Sequence, residues 1–167
     1  LSLPRPAGLL DVSRAVVARV TEIRGRTAYV LAGLVAGDGA RVRVVVEVGG
    51  QPTGLPGIAS AGTYVLLQTA APVGFAAGRV VDPVGAAVAG AVVTPSTLPV
   101  VSIATGAGAY FVAAPAGAVV MTAADEPRGD RGERPAFLTA QVISPLTLTV
   151  QPVPPQVTSV RPADGAA

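Results

Sequence analysis

Apolar and polar residues alternate along much of this chain with a period of two, the repeat of a β-strand, and a helical period is hard to find. Across residues 40–48 every even position is apolar, while Arg41, Arg43 and Glu47 hold three of the odd ones. This predicts an antiparallel strand with one packed and one wet face. Residues 146–150 repeat the pattern with Thr147 and Thr149 outward. Asp38-Gly39 lies between the strand-like runs 29–35 and 42–48, and Arg24-Gly25 between 17–23 and 27–32; both dipeptides suit the φ > 0 positions of a tight hairpin. The Ala-rich stretch 113–118 is broken by Pro115 and Gly117 and runs into Val119-Val120, so it predicts turn and strand. One short helix is held in reserve at residues 11–20, where Asp11 or Ser13 can cap a mixed apolar run.

The pattern divides near residues 71–77. About four strands precede the divide, and seven shorter ones follow, at 77–82, 88–94, 100–105, 109–114, 117–124, 136–142 and 146–152, with turn residues between nearly all of them. The expected fold is all-β: two small antiparallel β-sandwich domains in tandem, 1–75 of unassigned type and 76–153, then a Pro-rich linker and terminal strand at 154–167. Each half has about 75 residues, a size marginal for independent stability. That favours packing of the halves on one another, as does the scarcity of large aromatics.

Composition then removes whole classes of chemistry. The 167 residues contain no Cys, His, Trp, Lys or Asn, and Ala and Val supply 60 of the 84 apolar positions. Zinc, haem and iron–sulfur centres lose their usual ligands, and neither a Ser-His-Asp nor a Cys-His triad can be assembled. Schiff bases and Ser-Lys dyads need a lysine. A two-carboxylate hydrolase remains conceivable, but such sites grip sugars with aromatics and amides, which are scarce here. No catalytic, cofactor-binding or metal-binding residue is therefore assigned, and no cofactor is expected. The formal charge of +2 comes from twelve Arg against ten carboxylates; the Arg alternate with acids and valines, which argues against nucleic-acid binding. The longest apolar run, 84–93, is half the length of a membrane span, so no transmembrane segment is expected. A start at Leu1 without Met fits a mature or excised segment.

Gly78-Arg79-Val80-Val81-Asp82-Pro83-Val84-Gly85 followed by Val88-Ala89-Gly90-Ala91-Val92-Val93 resembles the opening of the carboxypeptidase regulatory-like domain, a transthyretin-like β-sandwich. Thr105, Gly108-Ala109-Tyr110-Phe111-Val112, Pro115-Ala116-Gly117, Val119-Val120-Met121 and the closing run 146–150 continue it in order. The turn glycines have physical work to do. Gly85 can supply φ > 0 after Asp82, Gly108 can turn a hairpin that points Tyr110 and Val112 inward, and Gly117 lets the chain reverse. The chain departs from the pattern at Pro95 and Pro99, which should force an exposed connection. Residues 157–166, after Pro152-Val153-Pro154-Pro155, resemble the first strand of a bacterial Ig-like repeat. The resemblance implies a non-catalytic accessory, spacer or adhesion-type module.

A few features are weighed as candidates. Asp125, Glu126, Asp130 and Glu133 offer oxygen ligands for calcium, but three Arg lie among them and the D-x-[DN]-x-[DN]-G pattern is missing, so a solvated, self-neutralising loop is preferred. Arg128-Gly129-Asp130 spells an integrin-type tripeptide, of a kind that arises by chance in such a loop. The stretch Thr94-Pro95-Ser96-Thr97 and Ser144-Pro145 could accept O-linked sugars, with plain loop chemistry preferred. Tyr29, Tyr64 and Tyr110 are read as core or rim before they are read as a sugar platform. The terminal segments 1–10 and 157–160 are read as linker, with strand donation to a neighbour as the rival. The expectation is a structural or adhesion-type β-sandwich of a secreted or cell-surface bacterial protein, whose partners are adjacent domains or other copies of itself. Its alternatives are a filament subunit assembled by strand exchange and a carbohydrate-binding accessory domain that takes a glycan.

Overall fold

The Asp11 carboxylate accepts the Ser13 N–H at 2.9 Å and caps one 3-10 turn, Val12–Arg14. The reserved helix goes no further: Val16, Val17 and Val20 prefer extended backbone and are packed as strand. The structure, a computed structural model, describes residues 2–9 and 11–153; the expected terminal strand at 157–160 lies outside them. The N-terminal sheet is built from β1 (Ser2–Pro4), β2 (Ala15–Ile23), β3 (Arg26–Asp38) and β4 (Arg41–Val45). A small hairpin, β5 (Glu47–Val48) with β6 (Gln51–Pro52), precedes the last strand, β7 (Tyr64–Gln68). The sheet order is β1-β4-β3-β2-β7. Arg24 and Gly25 both take φ > 0 at the β2–β3 turn, as the sequence suggests. The β3–β4 turn is Gly39-Ala40, one residue later than expected, because Asp38 is the last paired residue. The alternation at 40–48 stops with β4, since Val46 belongs to no strand and is exposed.

The second half supplies β8 (Val73–Val81), β9 (Val92–Pro95), β10 (Ser102–Ile103), β11 (Ala109–Pro115), β12 (Gly117–Asp125), β13 (Asp130–Leu138), β14 (Ile143–Pro145), β15 (Leu148–Thr149) and β16 (Gln151–Pro152). They form a middle sheet, β11-β8-β14 with β15 also on β8, and an outer sheet, β10-β9-β12-β13-β16. The architecture is all-β and multi-sheet, with no α-helix among the described residues and hence no helix long enough to cross a membrane. Two expected details change. The pairings of β14 and β15 with β8 are parallel, because the chain crosses from one sheet toward the other before returning. The strand expected at 88–94 begins only at Val92, since Gly90 turns the chain at φ 73°.

Residues of both halves share one core. Val16, Ala18, Leu31 and Leu34 pack in the same buried cluster as Phe75, Phe111, Val112, Met121 and Leu138. Four consecutive residues at the start of β8 and five in β11 are buried. A pleated strand can bury neighbours in sequence only if both of its faces are covered, so the middle sheet is covered on both sides. The first stretch of β3 is hydrogen-bonded to Val101, with Leu31 N–H on the Val101 carbonyl and Val101 N–H on the Tyr29 carbonyl, both 2.9 Å. This ladder joins the N-terminal sheet to the outer one. A second cluster, with Leu9, Val17, Ala32, Val35 and Val42, lies on the opposite face of the N-terminal sheet. The bulge between Val17 and Ala18 shifts the phase of β3, so that Leu31 and Leu34 reach one core while Ala32 and Val35 reach the other.

Candidate functional site

The charged run at 125–134 is a hairpin rather than a free loop. Asp125 closes β12, residues 126–129 turn, and Asp130 opens β13 directly opposite Asp125. The pairing runs in register from Asp125 and Asp130 to Gly117 and Leu138, and that continuity draws the charged residues into the sheet. The four carboxylates separate. Asp125 is buried with the Arg128 Nε at 3.6 Å, while Glu126 reaches Arg24 of the β2–β3 turn at 2.9 Å. Glu133, on the exposed face, lies 3.4 Å from Arg131. Among the described residues no group of three or more Asp or Glu is placed to hold a metal ion. Arg128 and Gly129 of the tripeptide occupy the turn, whereas Asp130 pairs with Pro152 of β16.

The polar side chains elsewhere mostly grip backbone. Tyr110 is buried and donates its hydroxyl to the Leu146 carbonyl at 2.6 Å; burial holds its ionisation far above the usual phenol range, against a smaller opposing pull from Arg134. Tyr64 donates to the Ser60 carbonyl, and Tyr29 packs at the margin of the main core. Arg14 reaches the Ala70 carbonyl, Arg79 that of Ala107 and Arg134 that of Thr147. Gln141, at φ 59°, donates to the carbonyls of Ser13 and Val73, so a residue in a sparsely allowed conformation ties the two halves.

The hydroxyl candidates are also drawn into structure. Thr94 sits in β9 opposite Thr122, and Ser144 in β14 opposite Ala76. The Ser96 hydroxyl accepts the Val120 N–H, leaving Thr97 exposed in the turn. Pro95 and Pro99 do not make a wholly exposed connection. Pro95 is buried at the end of β9, and Leu98 is buried behind the turn, which pulls the segment onto the core. Two of the concave surfaces are shallow and largely apolar. One of about 210 Å³ opens at the junction of the halves against Leu31, Leu55, Pro56 and Phe111; another of about 170 Å³ lies over the second core against Val17, Val42, Ile58 and Leu66.

Two features escaped the sequence reading. Phe137 projects from the outer sheet with 73% of its surface exposed, beside Ala118 and Pro135, because the alternation in β13 puts odd positions outside. The other is the free edge of β7, which the apolar run 64–67 could have signalled had it been paired with its neighbours.

No model of a known protein family matches the sequence, and no curated protein matches it. Among solved structures, a DUF3823 family protein from Parabacteroides merdae aligns with 49% of this chain and 47% of its own length, at 18% identity and a TM-score of 0.40. The Bacillus anthracis TIE protein aligns with 91% of this chain and 34% of its own, at 11% identity and a TM-score of 0.40. The chain thus spans about half the length of the first and a third of the second. Both likenesses are distant.

Proposed function

We propose that this chain is a non-catalytic structural or adhesion-type module of a secreted or cell-surface bacterial protein, with a carboxypeptidase regulatory-like sandwich over residues 76–153. The observation that carries the reading is where the chemistry-bearing side chains go. Tyr110, Arg14, Arg79, Arg134 and Gln141 donate to main-chain carbonyls and so fasten one element to another. A side chain spent on cohesion is withdrawn from proton transfer or nucleophilic attack. A stiff unit with both halves in one core suits the spacing or joining of neighbouring domains. A panel of chromogenic ester, glycoside, peptide and phosphate substrates tests this. The expected result is no turnover above buffer; turnover abolished by a single carboxylate substitution sinks the reading.

The filament alternative draws on one observation, the unpaired edge of β7. It requires open-ended association, which electron microscopy of the concentrated protein reads directly. The glycan alternative is tested on an array, and binding lost in Tyr29 and Tyr64 variants would support it.

A further inference from the structure

We propose that the free edge of β7 is a two-fold contact through which two copies of this chain join their N-terminal sheets, β7 against β7. The inference does not rest on the surface-module reading, and it differs from the filament alternative because a two-fold contact closes on itself.

The direction of the backbone groups in β7 follows from two hydrogen bonds at its ends. Thr69 N–H donates to the Arg14 carbonyl at 2.7 Å, and Val20 N–H to the Thr63 carbonyl at 2.9 Å. With the register of β2 on β7, these bonds turn the groups of residues 63, 65, 67 and 69 toward β2. The N–H and C=O of Tyr64, Leu66 and Gln68 therefore point away from the sheet, with no strand beyond them among the described residues.

Other edges carry a block. Proline stands in β1 (Pro4), β6 (Pro52), β11 (Pro115), β14 (Pro145) and β16 (Pro152), and Pro135 interrupts the stretch of β13 beyond its short pairing with β16. β5 and β10 have two residues each, and Val101 beside β10 is taken by β3. A missing N–H, a charge or a very short strand is how sheet edges resist pairing with another chain. β7 has five residues with no proline, no charge and no shift of register against β2.

The strand is also complementary to itself. A two-fold axis at Leu66 sets Leu66 against its copy, Val65 against Leu67 and Tyr64 against Gln68, and the outward groups make six main-chain hydrogen bonds. Val65 and Leu67 already pack against the main core and Tyr64 against the second, so the added strand extends both apolar faces and covers Leu66, now 37% exposed. Arg14 of the 3-10 turn and Arg19 of β2 reach the Ala70 and Ala61 carbonyls beside the two ends of β7, so the contact carries positive charge at its rims and should strengthen with salt.

Analytical ultracentrifugation of the whole chain at micromolar concentrations should show a monomer–dimer equilibrium. Leu66→Pro removes an N–H that bonds nothing within the chain, so it should keep the circular dichroism spectrum and weaken the dimer about tenfold or more, two bonds being lost per dimer. Leu66→Cys gives a second reading in a chain without cysteine. A hydrogen-bonded antiparallel pair holds its Cα atoms about 5.5 Å apart, within disulfide reach. Oxidised Leu66→Cys should run as a covalent dimer, and Val84→Cys, at a position 88% exposed, should not. A monomer at every concentration, an open-ended polymer, or equal cross-linking at both positions overturns the proposal.

Discussion

The hydroxyl of Tyr110 spans from β11 to the Leu146 carbonyl, in the link between β14 and β15, both of which pair with β8. Tyr110→Phe leaves that buried carbonyl without its donor and should cost about 1–3 kcal/mol in chemical denaturation. The same residue sets an alkaline limit. The folded-state value is raised above the unfolded value of about 10, so the neutral form is favoured by folding. The stability it contributes is fully present below about pH 10 and is lost as pH climbs through the folded value. Melting curves of the wild type should therefore fall more steeply above pH 10 than those of Tyr110→Phe. Gly132 is the complementary case: a Cβ there would overlap the Thr149 carbonyl, where the chain passes beneath β13. Gly132→Ala should destabilise the fold by about 1–3 kcal/mol, or more if the crossing opens, which a denaturant midpoint reports. Neither role is written in the residue type, because both depend on a segment arriving from elsewhere in the chain.

At the scale of the element, local signals specify several half-wet strands and most turns, although the alternation at 40–48 breaks at the exposed Val46. Leu146, Leu148 and Val150 are buried between exposed threonines as their alternation predicts, and the φ > 0 turns at Gly25, Gly85 and Gly108 fall where glycine was expected to turn the chain. The charged hairpin runs against its composition, since seven charges in ten residues suit a loop. Cross-strand pairing with β12 overrode that composition. β13 also shows how an edge is guarded. Ser96 N–H donates to the Val120 carbonyl, which turns Val120 toward β9 and makes its pairing with Pro135 one without hydrogen bonds across β12 and β13. The nitrogen of Pro135 thus faces the open side. Pro135→Val restores a donor there, beside the exposed Phe137, and should increase self-association in light scattering while leaving the melting temperature nearly unchanged.

For the whole molecule, the shared core decides cooperativity. Phe75 and Phe111 stack with ring centroids 5.5 Å apart within the cluster that also takes in Leu31 and Leu34. The Arg24–Glu126 pair adds little to the junction, being about half exposed on both sides. The apolar contacts and the Val101 ladder carry it. Differential scanning calorimetry should show one transition, and Phe75→Ala should lower it as a unit by about 3–5 kcal/mol. Two separated transitions, with only one moved by Phe75→Ala, would contradict a common core.

The all-β class, the places of most turns and the narrow range of available chemistry were legible along the chain, because each depends on local backbone preference or on residue types that are missing. Where strands lie in the sheets, which faces are doubly buried and which carboxylates part company were settled by the tertiary structure. A period of two says that a side chain points to one face or the other, but not what covers that face. The joining of β3 to Val101, the passage of residues 146–150 beneath Gly132 and the bare edge of β7 all rest on pairings between residues distant in the chain, and pattern along a chain carries no such pairings.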